Sequence, residues 1–247
     1  MILFIKYLPF FSGSTEINTY LLVQNETPSL FRSVLIYLDR RGGMVWDLLL
    51  EHLWLVFISI SIAIIVSVFI GVLISYYPKS AEVVLAICQV LMTVPSIAIL
   101  GIMVPFFGIG FTTGALALII YSLLPIVRNT YTGIKEISPT IIESATAMGM
   151  TEKRILFKIK IPLAMPVIMA GIRTAAVMIV GIAAVTAYVG SGGLGELIFQ
   201  GISRSSKEMI LVGAIGVSII ALAFDYILSR GEQSLASVGK TREAEND

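Results

Sequence analysis

Charge is what this sequence has least of. Asp, Glu, Lys and Arg together make up 13% of the 247 residues, and apolar residues make up 57%. A water-soluble domain of ordinary composition carries about 25% charged residues, so a chain this poor in charge cannot cover its surface with ionic groups and fits one whose outer face meets lipid. There is one cysteine, Cys88, so no disulfide forms within the chain and a thiolate metal site is excluded. His52 is the only histidine, which removes histidine-rich metal chemistry. The net charge of +1 gives no reason to expect a nucleic-acid partner. Residues Met1–Phe11 carry one lysine and no small-residue cleavage pattern, so no cleaved signal peptide is expected.

What is present is a series of apolar runs. A membrane-crossing helix needs roughly 20 mostly apolar residues. Five runs meet or approach this: Leu53–Tyr76, Val83–Phe107 with Pro95 near its middle, Phe111–Val127 with Pro125, Leu163–Tyr188 interrupted by Arg173, and Met209–Leu228 with Asp225 near its end. They are too long and too evenly apolar for barrel strands, so helices are expected. Trp54 at one end of the first run and Tyr76 and Tyr77 at the other match the aromatic belts of a bilayer. The fold class expected is all-α and polytopic, with about five transmembrane helices. The expected layout is an extension over 1–52, a membrane domain over 53–229 and a polar tail over 230–247. The extension reads equally as an interface helix or as an unordered segment, because Leu30, Phe31, Val34, Leu35 and Leu38 share one helical face. The tail is expected to be unordered.

Basic residues set the expected orientation. The connector between the third and fourth runs, 128–162, carries Arg128, Lys135, Lys153, Arg154, Lys158 and Lys160, the densest basic stretch in the chain. It is expected in the cytoplasm, and a five-span count puts the C-terminus there too. The connector also holds Ile141, Ile142, Ala145, Met148 and Gly149 at spacings that let them share a helical face. An apolar face outside the bilayer needs a protein partner, and a helix laid into a groove is the natural mode.

Within that connector stand Glu143-Ser144-Ala145, then Gly149 after three residues, then Ile159-Lys160-Ile161-Pro162 after nine more. The pattern resembles the EAA loop of ABC importer permeases, with Ser144 in place of an alanine and Ile161 in place of a leucine. Met92–Ala98, Leu124–Ile134 and Gly190–Gly195 look like the branch that carries glycine betaine, carnitine, choline and proline, and the likeness covers roughly Leu53–Leu228. The resemblance implies a coupling helix carrying Glu143, Ser144, Ala145 and Gly149, with Pro162 closing the loop. It implies that the chain binds no cofactor and that ATP is held by separate cytoplasmic ATPase subunits. It further implies a second permease chain, identical or homologous, a separate extracytoplasmic binding protein, and residence among lipid in a prokaryotic plasma membrane. Methionine-type amino-acid permeases share the plan and are the first alternative for the solute. An ion-coupled secondary transporter is the second, although Asp225 is the only acid within a span. A membrane enzyme would need a catalytic constellation, and one histidine, one cysteine and no carboxylate pair do not supply it.

The remaining candidates lie within the apolar runs and at their ends. Thr93, Pro95, Ser96, Tyr121, Asn129 and Arg173 are polar or helix-breaking positions inside apolar runs, where transport sites are often built. Pro95 and Pro125 each remove a helix hydrogen bond. Tyr121 and Tyr188 offer ring faces to a quaternary ammonium or simply pack. Arg173 either faces the pathway or closes an ion pair, for which Asp225 is the natural partner. Gly190, Gly192, Gly193 and Gly195 spell the glycine spacing of a dinucleotide-binding turn, yet they follow a membrane run rather than a strand. A flexible outer turn for the binding protein, or a plain connector, suits them better. Gly239-Lys240-Thr241 lacks the first glycine of a phosphate-binding loop, since Ser234 stands there.

Overall fold

The computed structural model describes the backbone of residues 30–244 and the side chains of residues 30–233. The signal-peptide expectation and the first part of the expected extension therefore lie outside the described residues. The elements in chain order are α1 (Leu30–Ser75), α2 (Pro78–Thr93), α3 (Ser96–Phe107), α4 (Phe111–Lys135), α5 (Pro139–Ala147), α6 (Glu152–Ile155), a π-helical turn (Leu156–Lys160), α7 (Ile161–Thr186), α8 (Gly195–Ser203) and α9 (Lys207–Ala244). Four of these segments are long and apolar enough to cross a bilayer, and the bent pair α2 and α3 makes a fifth if it counts as one crossing.

Both end segments differ from expectation. The first helix was expected at Leu53 and begins at Leu30. Its 46 residues extend roughly 69 Å at the usual rise, more than twice the ~30 Å hydrocarbon thickness. An interface helix would have to turn at the bilayer edge. Gly42 and Gly43 do not provide that turn, and the helix passes through them with nothing packed against either. At the other end, α9 continues through the polar tail to Ala244. The tail contains no proline and is built of good helix formers such as Glu, Gln, Leu, Ala, Lys and Arg. Gly239-Lys240-Thr241 thus lie inside a helix.

The second expected span is broken. α2 and α3 meet at 98° across Val94–Pro95. Proline disfavours helical geometry in the residue before it, and Val94 is extended at φ −68° and ψ 131°. The break frees the Val94 carbonyl, which in lipid needs a donor. The hydroxyl of Tyr121, on α4, supplies it.

Helix α4 is the centre of the bundle, packed against α1, α7 and α2. Lipid tails are as apolar as leucine, so close backbone approach has to supply much of the association. The approaches are made at glycines. A Cβ at Gly71 of α1 would lie 2.5 Å from Thr130 Cβ on α4. A Cβ at Gly133 of α4 would lie 3.0 Å from Val167 Cβ on α7. A Cβ at Gly171 of α7 would lie 2.7 Å from the Pro125 carbonyl oxygen. Helix α9 packs against α7 and α1 and closes the far side.

The two ends of the bundle are marked by contacts to α1 and to Tyr76 just after it. Lys160 Nζ lies 4.8 Å from the centre of the Tyr76 ring, which defines a loop end. Gly193 donates its N–H to Glu51 at 3.1 Å, which defines a turn end.

Gly171 and Gly181 make opposite predictions. Gly171→Ala forces a methyl group into the Pro125 carbonyl and Asn129, and should destabilise the purified chain by about 1–3 kcal/mol. Nothing lies within 4 Å of a Cβ at Gly181, so Gly181→Ala should gain about 0.5–1 kcal/mol of helix propensity. Thermal unfolding of both variants in one detergent should show shifts of opposite sign.

Candidate functional site

At the loop end, Pro139 occupies the first turn of α5, where its missing N–H is harmless. The helix ends at Gly149, whose φ of +78° is left-handed. Gly149 donates its N–H to the Thr146 carbonyl at 2.9 Å, and Met150 donates to the Ala145 carbonyl at 3.1 Å. This crossed pair of bonds is the Schellman cap, which asks for glycine at that position. The spacing from Glu143 to Gly149 is thus the length of one short helix and its stop. Helix α6 follows at once, with Ile155 donating its N–H to the Thr151 carbonyl at 2.9 Å.

The faces of α5 divide differently from expectation. Ala145 is 1% exposed and Ile142 half-buried, but Ile141 is 42% exposed and Met148 75%. Glu143, Ser144 and Gly149 are all exposed. Glu143 makes no hydrogen bond or ion pair among the described residues. The chain therefore leaves an acid and two apolar side chains uncovered on a rigidly ended helix. The basic stretch expected to be connector is partly helix, because α4 runs on to Lys135. The π-helical turn before Pro162 was not foreseen. Ile161 donates its N–H to the Leu156 carbonyl, five residues back. Pro162 has no N–H for the carbonyl four residues back, and its ring crowds that group, so the helix widens there. Pro162, read together with Pro166, was the available signal.

Among the polar candidates within the membrane, Thr93, Pro95, Ser96 and Tyr121 gather at the α2–α3 bend. Thr93 is exposed and donates to the Val90 carbonyl at 2.7 Å. Pro95 is exposed and Ser96 half-buried. Tyr121 is only 4% exposed and spends its hydroxyl on Val94, so it presents no open ring face to a solute. Tyr188 is exposed and packs against Phe199 with ring centres 5.6 Å apart. Asn129 folds back to donate to the Pro125 carbonyl at 2.7 Å. Its neighbour Arg128 reaches across to Gln89 Oε1 at 3.1 Å.

Arg173 pairs with α9. Its Nε and Nη2 donate to the two oxygens of Asp225 at 2.7 and 3.0 Å, and Nη1 donates to Glu232 at 3.2 Å. The ion pair expected with Asp225 is present, in the forked geometry arginine favours. Glu232 was missed because the tail was expected to be unordered. It lies seven residues after Asp225, two turns along the same face of α9.

At the turn end, the glycines are fastened rather than loose. Gly190, Gly192 and Gly193 have φ of +72°, +81° and +88°. Gly195 sits so close to α7 that a Cβ would lie 2.0 Å from the Ala184 carbonyl oxygen. Ser191 donates to Thr186 Oγ1 at 2.7 Å. The buried His52 places Nε2 3.1 Å from the Val180 carbonyl oxygen, and its Cβ lies 3.1 Å from where a Gly193 Cβ would stand. Glu51 and His52 were not foreseen as part of this turn, although an adjacent acid and lone histidine just ahead of a charge-free run were visible. The turn leads into α8 with no strand before it, so a dinucleotide reading has no support. Burial, and then the charge of Glu51, hold the Glu196 carboxyl above its ordinary range.

The model of the family described as "binding-protein-dependent transport system inner membrane component" matches residues 63–235. The chain is 37% identical over 206 residues to the choline transport system permease protein OpuBB of Bacillus subtilis, covering 83% of this chain and 95% of that one. It is 41% identical to the osmoprotectant import permease protein OsmW of Salmonella typhimurium, covering 82% and 97%. It is 41% identical to the carnitine transport permease protein OpuCB of Listeria monocytogenes, covering 75% and 85%. Among solved structures, the fold is similar to that of the methionine ABC transporter MetNI in inward-facing conformations, with a TM-score of 0.73 at 22% identity, covering 80% of this chain and 98% of that one.

Two substitutions test this geometry. Gly149→Val places a branched residue in the left-handed region at about 1–2 kcal/mol, so amide exchange over 139–148 should quicken about 5–30-fold; a change below twofold would show that the cap does not hold α5. Glu196→Gln removes a carboxylate whose ionised form the fold disfavours. The penalty is present above the raised folded pKa and absent below the unfolded one, so the variant should melt higher at pH 7. That gain should vanish as the pH falls below the ordinary carboxylate range.

Proposed function

The chain belongs to the binding-protein-dependent transport system inner membrane component family, and from that membership we propose that it is the membrane-spanning permease of an ATP-driven importer of compatible solutes. Choline, carnitine, glycine betaine and other osmoprotectants are the named cargoes of its similar relatives. The single observation that carries the coupling half of this reading is α5, a helix stopped by a Schellman cap with Glu143, Ile141 and Met148 left uncovered.

In this reading the loop end faces the cytoplasm and α5 lies in a cleft of a separate ATPase subunit, which binds the ATP. The chain is not itself an enzyme. A second permease chain completes the pathway. The glycine turn faces outward, where a binding protein delivers the solute. Helix α5 joins α4 through residues 136–138 and α7 through α6 and the π-helical turn, so a displacement of α5 is passed to two of the packed helices. ATP drives the change of access only if it binds one state better than the other.

Uptake of labelled glycine betaine and choline tests the solute class, in cells expressing the chain with its neighbouring ATPase and binding protein. Uptake should depend on the chain and be competed by unlabelled quaternary ammonium compounds. Competition by methionine alone would overturn the solute class while keeping the importer. Glu143→Arg combined with Gly149→Asp should leave the chain in the membrane and abolish association with the ATPase. Normal association in that variant would sink the assignment of α5.

A further inference from the structure

The flank of the bundle carries a groove that the transport reading does not use. It lies between the loop-end half of α1 and the start of α7, with Ile64, Val68 and Val72 on one wall and Phe157, Ile161 and Ile168 on the other. Its volume is about 420 Å³ and every residue lining it is apolar. Ile65, Phe69 and Phe157, on its rim, are well exposed. An apolar cavity offers water no partners. Within a bilayer such a space is filled by hydrocarbon or by another apolar chain.

Length and position select between these. Ile64 to Val72 spans roughly 12 Å along α1, and Ile161 to Ile172 roughly 16 Å along α7. One leaflet contributes about 15 Å, half of the ~30 Å hydrocarbon core. The groove thus begins at the loop end and runs for the depth of a single leaflet. A second helix, about 10–12 Å across with its side chains, is a poor match for a cleft of this volume.

The mouth of the groove is cationic. Leu156, Phe157 and Ile161 belong to the same turn and helix start as Lys158 and Lys160, with Lys153 and Arg154 just before them. Glu152 is the one acid in this stretch, so four cations stand against one anion. Lys160 already lies over the ring of Tyr76, the residue that follows α1. Lys153, Arg154 and Lys158 are exposed and have no acidic partner among the described residues. Basic residues at the bilayer surface attract anionic lipid headgroups.

We propose that this groove is a binding site for an anionic phospholipid, with one acyl chain between α1 and α7 and the phosphate held by Lys158 and Lys160. Lys153 and Arg154 strengthen the field around the headgroup. The lipid would bridge α1 to the π-helical turn, the joint through which α5 connects to α7. The site is independent of which solute is carried, so its failure would leave the transport reading intact.

The test uses the full chain in phosphatidylcholine nanodiscs with a trace of phosphatidylglycerol or phosphatidylcholine spin-labelled on the acyl chain. Electron paramagnetic resonance then reads the fraction of motionally restricted label. The restricted fraction should favour phosphatidylglycerol by about fivefold or more, and the preference should shrink as salt is raised. Lys158→Gln with Lys160→Gln leaves the packed core untouched. It should remove the preference for phosphatidylglycerol and keep the basal restricted fraction seen with phosphatidylcholine. Val68→Trp, which fills the groove, should reduce restriction of both labels. Equal restriction of both lipids by the unaltered chain would overturn the proposal, as would a preference that survives the lysine substitutions. Efficient disulfide formation between two copies carrying Phe69→Cys, in a Cys88→Ser background, would also overturn it by making the groove a contact between chains.

Discussion

The fold depends on the approach of α4 to its two neighbours. On one side Gly71 lets α1 settle against Thr130, and on the other Gly133 and Gly171 let α7 settle against α4. In water the burial of large apolar side chains would hold such helices together. In a bilayer that force is largely absent, and backbone proximity takes its place. Helix α4 also carries Tyr121, whose hydroxyl closes the bend between α2 and α3. The one helix therefore positions α1 and α7 and makes a right-angled break tolerable in an apolar medium.

A second constraint is the treatment of interruptions. At four points where the backbone ladder fails there is a specific remedy. The Val94 carbonyl receives a tyrosine hydroxyl. The last turn of α5 is closed by the N–H groups of Gly149 and Met150. Pro162 is met by a widened turn. The N–H of Gly193, in a turn that cannot continue a helix, is taken by Glu51. These remedies separate stiff segments from joints, and the joints fall on either side of α5 and at the glycine turn. In the proposed function those are the places where motion enters from the ATPase and where solute arrives.

Much of this was legible in the sequence because a bilayer leaves long apolar runs in the chain. The helical class, the positions of α4, α7 and α9 within the membrane, and the pairing of Arg173 with Asp225 all follow from run length and from the difficulty of an unpaired charge in lipid. Pro95 announced an interruption, whereas α4 runs unbroken through Pro125, so a proline alone announces neither a break nor the size of a bend. The 98° angle at Pro95 needed the knowledge that Tyr121 stands opposite. The long reach of α1 and α9 beyond the bilayer was hidden because polar helix and polar loop have similar compositions. The anchoring of the glycine turn by Glu51 and His52 joins residues far apart in the chain, and no local pattern records it.

In the proposed function, α5 meets an ATPase subunit on the cytoplasmic side. The most direct measurement is cysteine cross-linking in cells, with Met148→Cys in a Cys88→Ser background and the neighbouring ATPase carrying a single cysteine in its docking cleft. The account predicts a cross-linked product at Met148→Cys and none at Tyr188→Cys. Labelling of Met148→Cys by a membrane-impermeant thiol reagent added outside intact cells, with no product to the ATPase, would contradict it.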